Sequence, residues 1–275
     1  MKRIFLFLTI LCLLSTSCKN AFEEMSSKDS EAAILYSARQ HLSAGRWTEA
    51  LSEFEKLPAA TLAETEVVVD RASAYSGRCG LDFLGLSDLI ENIGTTPLME
   101  LLMTNFPATS AANYADCKLA EDLLKTVADT SGVVSTEDGR FLMAFNALAK
   151  IGVILNFRAD ADENDAVDAG WDPCDGNGAT DLPAAEVSEV GTGIVLFYKN
   201  LQGFSFGSDI TSEIEAICTD PMVDGSPVDF CDEEDATAYT NAYRQLIRGF
   251  IRDDTDGIGL AIDAGQGVAV SACEP

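Results

Sequence analysis

Ser135-Thr-Glu-Asp-Gly-Arg-Phe-Leu-Met-Ala-Phe-Asn-Ala-Leu-Ala-Lys-Ile-Gly-Val-Ile-Leu-Asn-Phe157 decides the fold. From Phe141 onward it reads as a strongly apolar helix, the central rod of a helical core. Ser135 and Asp138 stand three apart ahead of it, where a side-chain oxygen would satisfy free N–H groups of the first turn. The run is long enough to suggest a membrane span, but Arg140, Asn146 and Lys150 interrupt it, so a buried core helix is expected.

The rod breaks into an acidic, glycine-punctuated loop. Asp160, Asp162, Glu163, Asn164, Asp165 and Asp168 are followed by Asp172-Pro-Cys174-Asp175-Gly-Asn177 and Asp181. Asp160, Asp162, Asn164 and Asp168 occupy the first, third, fifth and ninth places of a helix-loop-helix calcium loop. Asp165 stands where that loop needs glycine, and Trp171 where it needs glutamate. The run also resembles the calcium-binding repeats of thrombospondins, which would make these residues oxygen ligands for calcium. A solvated acidic loop is the competing expectation in so negative a chain.

Outward towards the N-terminus, residues 1–17 read as an address. Lys2 and Arg3 precede an apolar run from Ile4 to Leu14, then Ser15-Thr16-Ser17 and Cys18. A basic start, a short apolar region and small residues make a secretory signal. Ending at Cys18, the segment resembles a bacterial lipoprotein signal. That resemblance implies that Cys18 carries the lipid and, with Lys19 following, that the protein goes to the outer membrane. Residues 18–30 are polar and read as a tether.

Lys and Arg number 18 against 45 Asp and Glu, giving a net charge of −27. Such a chain repels phosphate backbones and anionic lipid, so nucleic acid is excluded and divalent cations or basic segments are the expected company. With 47% hydrophobic residues it can build a sizeable core. Beyond the leader lie Cys79, Cys117, Cys174, Cys218, Cys231 and Cys273. An even number in an exported chain points to disulfides. Sequence does not choose among the connectivities; Cys79–Cys117, Cys218–Cys231 and Cys174–Cys273 is the arrangement expected. Zinc is disfavoured because no C-x-x-C pair occurs and His41 is the sole histidine.

Residues 31–129 show helical periodicity. Ala33, Ile34, Ser37, Ala38 and Leu42 share a face, Ala44-Gly45-Arg46 breaks the helix, and a second helix carries Ala50, Leu51, Phe54 and Leu57 to Pro58. Ala38, Gly45, Trp47, Ala50, Phe54 and Pro58 resemble one tetratricopeptide repeat unit, a helix-turn-helix of about 34 residues. The resemblance implies neighbouring hairpins, because one unit cannot bury its own face. Further helices are expected over Val67–Leu84, Leu86–Ile93, Pro97–Phe106 and Ala112–Asp129. Residues 130–275 read as a C-terminal helical region continuous with 31–129. It includes the rod and acidic loop, a helix from Leu182 to about Leu201, and another opening at Asp232–Asp235 and carrying Arg244, Arg248 and Arg252.

Catalytic patterns are weak. Gly203-Phe-Ser205-Phe-Gly207 matches a nucleophile elbow, but no histidine follows it to act as base. His41 has no partner of matching chemistry, and the glycine pairs Gly191/Gly193 and Gly257/Gly259 lack the lysine of phosphate-cradling loops. The expected protein is therefore all-α: an irregular, disulfide-stapled stack of antiparallel helical hairpins with an acidic loop. It is expected to be a non-enzymatic cell-envelope lipoprotein that binds another envelope protein or a basic peptide segment. The alternative is a calcium-stabilised ligand-binding component of a solute transporter.

Overall fold

The computed structural model describes residues 29–82, 85, 98–106, 110–162, 168, 171–173, 182–202, 204, 222–223, 226–227, 231 and 233–252. Cys18, Asn164, Cys174, Cys218, Cys273 and the leader lie outside them. The described part is all-α, apart from a two-residue antiparallel ladder pairing Met222 with Pro227 and Val223 with Ser226. The chain divides into two compact units at Ala63 and Glu64, a point inside the stretch 31–129.

The first unit holds α1 (Glu31–Ser43), α2 (Trp47–Phe54) and the single turn α3 (Ala59–Leu62). Ser30 caps α1 by accepting a hydrogen bond from the Ala33 N–H, satisfying a donor that the first turn leaves open. Between α1 and α2 the chain reverses at Gly45, whose φ of +67° lies in the left-handed region that glycine enters freely. Ala38 and Ala50 are fully buried with Phe54, the small residues letting the two helices close on the ring. Thr61 donates to Glu31 at 2.5 Å, tying α3 back to the start of α1.

The second unit is built on α4 (Thr65–Cys79), α5 (Leu98–Asn105), α6 (Ala111–Lys125), α7 (Glu137–Ala159), α8 (Ala184–Leu201) and α9 (Asn241–Arg252). The rod predicted from Phe141 is α7, and it is buried from Leu142 to Asn156 without interruption. A helix apolar on every side must be covered on every side. α4, α5, α6 and α8 do that. Each fully buried Leu, Ile or Phe contributes about 1.5–3 kcal/mol, so this one helix organises much of the core. Among the described residues α7 is long and apolar enough to cross a membrane, yet most of it is buried within the protein.

The pairing of α7 with α8 is antiparallel, as three contacts along it show. Arg158 meets Glu186 at one end, Ile151 lies against Gly193 in the middle, and the Phe145 and Phe197 rings stand edge to face at 6.3 Å towards the other. A Cβ at Gly193 would crowd Ile151 and approach the Ala147 carbonyl at 3.3 Å, so the bare glycine sets how near the two helices come. α4 runs antiparallel to α6: Asn113 near the start of α6 donates to the Arg78 carbonyl near the end of α4, at 3.0 Å. Val69, towards the start of α4, lies beside Gly139, past the end of α6.

Two expected starts move. Thr136, rather than Ser135 or Asp138, caps α7, accepting from the Gly139 N–H at 3.1 Å. The Asp232–Asp235 run does not open the last helix. Asp235 instead caps a 3-10 turn (Ala236–Ala238) by accepting from the Thr237 N–H at 2.8 Å, and α9 begins at Asn241.

Candidate functional site

The acidic loop connects the antiparallel α7 and α8, so it starts where the apolar rod stops. α7 ends when Asp160 leaves helical geometry (φ −130°, ψ 69°), while its N–H still reaches the Asn156 carbonyl at 2.9 Å. The loop then folds back on itself. The Asp168 N–H donates to the Ala159 carbonyl at 2.6 Å, and the Ala161 N–H donates to Asp168 Oδ2 at 2.9 Å. That closure brings Asp160, Asp162 and Asp168 together, one carboxylate oxygen of each lying within 4.8 Å of the others. Asp160 is buried, Asp168 half-buried and Asp162 exposed. Asn164, the fourth expected ligand, lies outside the described residues.

These donors fit a hard cation. Calcium–oxygen distances of about 2.3–2.6 Å let two oxygens on one ion stand as much as about 5 Å apart, so the three carboxylates can reach one ion. Calcium takes roughly six to eight oxygens, and three carboxylates fill that shell only with help from carbonyls, water or further loop residues. Glu186, in the first turn of α8, is taken elsewhere: Arg158 binds it through both its oxygens, Nε to Oε2 at 2.7 Å and Nη2 to Oε1 at 2.5 Å. Farther along the loop Arg248 of α9 donates to the Pro173 carbonyl, anchoring the loop to the core. The buried Trp171 Nε1, near that anchor, has no hydrogen-bond partner in the described structure.

A second polar site was not anticipated. Lys150 is wholly buried in α7, and its ammonium donates to Glu121 Oε2 at 2.5 Å, Glu189 Oε2 at 2.9 Å and Thr192 Oγ1 at 3.0 Å. An ammonium has three protons to donate, and all three are placed. Lys125 donates to the other Glu121 oxygen at 2.7 Å, and Lys118 lies 3.9 Å from Glu189 at the rim. Burial pushes the Glu121 carboxyl up, but the charges of Lys150 and Lys125 outweigh it and hold the pKa at about 2. Burial likewise lowers Lys118, yet its hydrogen bond to Asp122 and the neighbouring carboxylates leave it raised. Tyr114 is pushed up to about 12 by burial, with Glu189 adding to the shift. One turn before Lys150, Asn146 donates to the Cys117 carbonyl at 3.0 Å and accepts from Ser76 Oγ at 2.8 Å.

Cys79 is bonded to Cys117, with Cα atoms 5.0 Å apart, and the Arg78–Asp116 ion pair sits beside the bond. Cys231 is also disulfide-bonded, its partner lying outside the described residues. His41 accepts a hydrogen bond from Arg46 Nε at 2.9 Å, which spends it on the α1–α2 turn. Phe204 of the elbow-like motif packs on Phe141 at 6.1 Å, and Ser205 lies outside the described residues. Arg244 donates to the Tyr239 carbonyl and to Asn241 Oδ1 at 2.8 Å, so it and Arg248 serve backbone and amide oxygens. No family model matches the chain, and neither a curated protein nor a solved structure resembles it significantly.

Proposed function

We propose that this chain is a non-enzymatic, lipid-anchored protein of the cell envelope that binds another protein through helical hairpins akin to tetratricopeptide repeats. The observation that carries the reading is the hairpin of α1 and α2. Fully buried Ala38 and Ala50 and the left-handed Gly45 turn are the packing solution such units use, and Tyr36 stands 65% exposed on its surface. The net charge of −27 supports a basic segment as partner, since complementary charge accelerates encounter and rejects acidic competitors. Cys18 supplies the anchor, after removal of residues 1–17.

A photocrosslinking residue placed at position 36 in intact cells tests this. The expected result is an adduct with a second envelope protein that added basic peptide suppresses. Monomer alone, from position 36 and from exposed Gln40 and Ser43 as well, overturns it. Cys18→Ser is expected to move the protein from the membrane fraction to the soluble one.

The carboxylate cluster favours one addition, calcium as a structural cofactor holding the α7–α8 connector. A ligand that binds only the folded form stabilises it by about 2.7 kcal/mol at a hundredfold excess over its Kd. The melting midpoint is therefore expected to rise with calcium, to fall with EDTA and to respond little in Asp160→Asn/Asp168→Asn. Identical midpoints with and without calcium would retire the metal.

A further inference from the structure

We infer that the cluster of Lys150, Glu121, Glu189 and Thr192 is the conformational device that selects how α6 and α8 seat on α7, in register and in rotation. This goes beyond the partner-binding reading and does not depend on it. The need for such a device comes from α7 itself, which is buried continuously from Leu142 to Asn156. A helix apolar all round presents no single preferred face, so burial alone leaves its rotation open. The Phe106 ring seated on Gly152 and Ile151 seated on Gly193 favour one axial position, but apolar contacts along the rest of the rod can be exchanged for others, and such cores lose uniqueness before they lose stability.

Polar groups narrow that choice to one. Lys150 reaches Glu121 on α6 and both Glu189 and Thr192 on α8, so one ammonium fixes two neighbours at once. Any other register leaves the Lys150 ammonium in the core without partners and leaves Glu121 and Glu189 only the rim cations Lys125 and Lys118, a far greater loss than the apolar contacts exchanged. Asn146, one turn earlier, adds the same constraint between α6 and α4 through the Cys117 carbonyl and Ser76. A buried ion pair is often replaceable by apolar residues at no loss of stability, so its contribution here is selection among packings. The outer cations do not obstruct such a replacement. Lys118 and Lys125 are about one-third exposed and can turn to water, and Thr192 retains its own hydrogen bond to the Glu189 carbonyl at 3.1 Å.

The test compares the purified full chain with its triple variant Lys150→Met, Glu121→Leu and Glu189→Leu, both labelled at isoleucine methyls for NMR. The parent should give one methyl set with a cross-peak between Ile151 and Gly193, which touch across the α7–α8 pair. The variant is expected to keep its helical signal and a urea midpoint at or above the parent's. It should also split or broaden the Ile methyl resonances, lose the unique Ile151–Gly193 cross-peak and bind a hydrophobic dye. One sharp methyl set with that cross-peak retained overturns the inference. So does a triple variant that does not fold, since the cluster would then supply stability and not selection.

Discussion

Lys150 is the residue on which the interior turns, because a charge with no exposure survives only if its partners are complete. Removing the lysine alone takes from Glu121 and Glu189 their buried cation and leaves them only Lys125 and Lys118 at the rim, and breaking a buried pair this way costs about 3–5 kcal/mol. Lys150→Met is therefore expected to lower the unfolding free energy, read from urea titration, by that margin; a change below about 1 kcal/mol would contradict the buried geometry. The acid limb follows from Glu121. Its folded pKa of about 2 lies below the ordinary 4.5, so its contribution is complete above pH 4.5 and disappears as pH falls through the folded value. The shift corresponds to roughly 3 kcal/mol. Stability is expected to decline between about pH 5 and 2, and Glu121→Gln should flatten that limb. None of this was legible in the sequence. Asn146 and Lys150 read as interruptions of an apolar run because their partners stand far away along the chain: Glu121 is 29 residues from Lys150 and Glu189 is 39.

Elements were more legible than contacts. The rod, the Ala38–Ala50 hairpin and the helix ending at Leu201 follow from periodicity and breakers, which act within a few residues. Helix starts were harder, because Ser135, Thr136 and Asp138 are all competent caps and only backbone geometry chooses among them. Thr136→Ala is expected to cost about 1 kcal/mol and Ser135→Ala close to none, read from urea unfolding; the reverse order would move the cap. The Asp232–Asp235 run misled for a related reason. Acidic residues suit a helix start, but Asp235 here bonds its own turn and the helix waits until Asn241. Between α4 and α6 the Cys79–Cys117 bond links residues 38 apart. Replacing both with alanine is expected to cost about 2–4 kcal/mol while preserving the helical signal, and an unchanged midpoint would mean the bond constrains nothing. Of the acidic loop, spacing anticipated that Asp160, Asp162 and Asp168 belong together. It did not anticipate that Asp168 closes the loop by bonding Ala159 and Ala161.

For the whole molecule, composition and fold point the same way. Among the described residues the apolar side chains fill a helical interior, with α7 sheathed by α4, α5, α6 and α8, and most of the acidic ones, apart from Asp116, Glu121, Asp160 and Glu189, reach the surface. The claim beneath this picture is that α7 is the protected centre of a protein folded in water and not a membrane span. Hydrogen–deuterium exchange of the purified chain in buffer without detergent or lipid tests that most directly. Amides of residues 142–155 are expected to be the slowest to exchange, opening only with global unfolding. Rapid exchange there, or protection that appears only when detergent or lipid is added, would contradict the account.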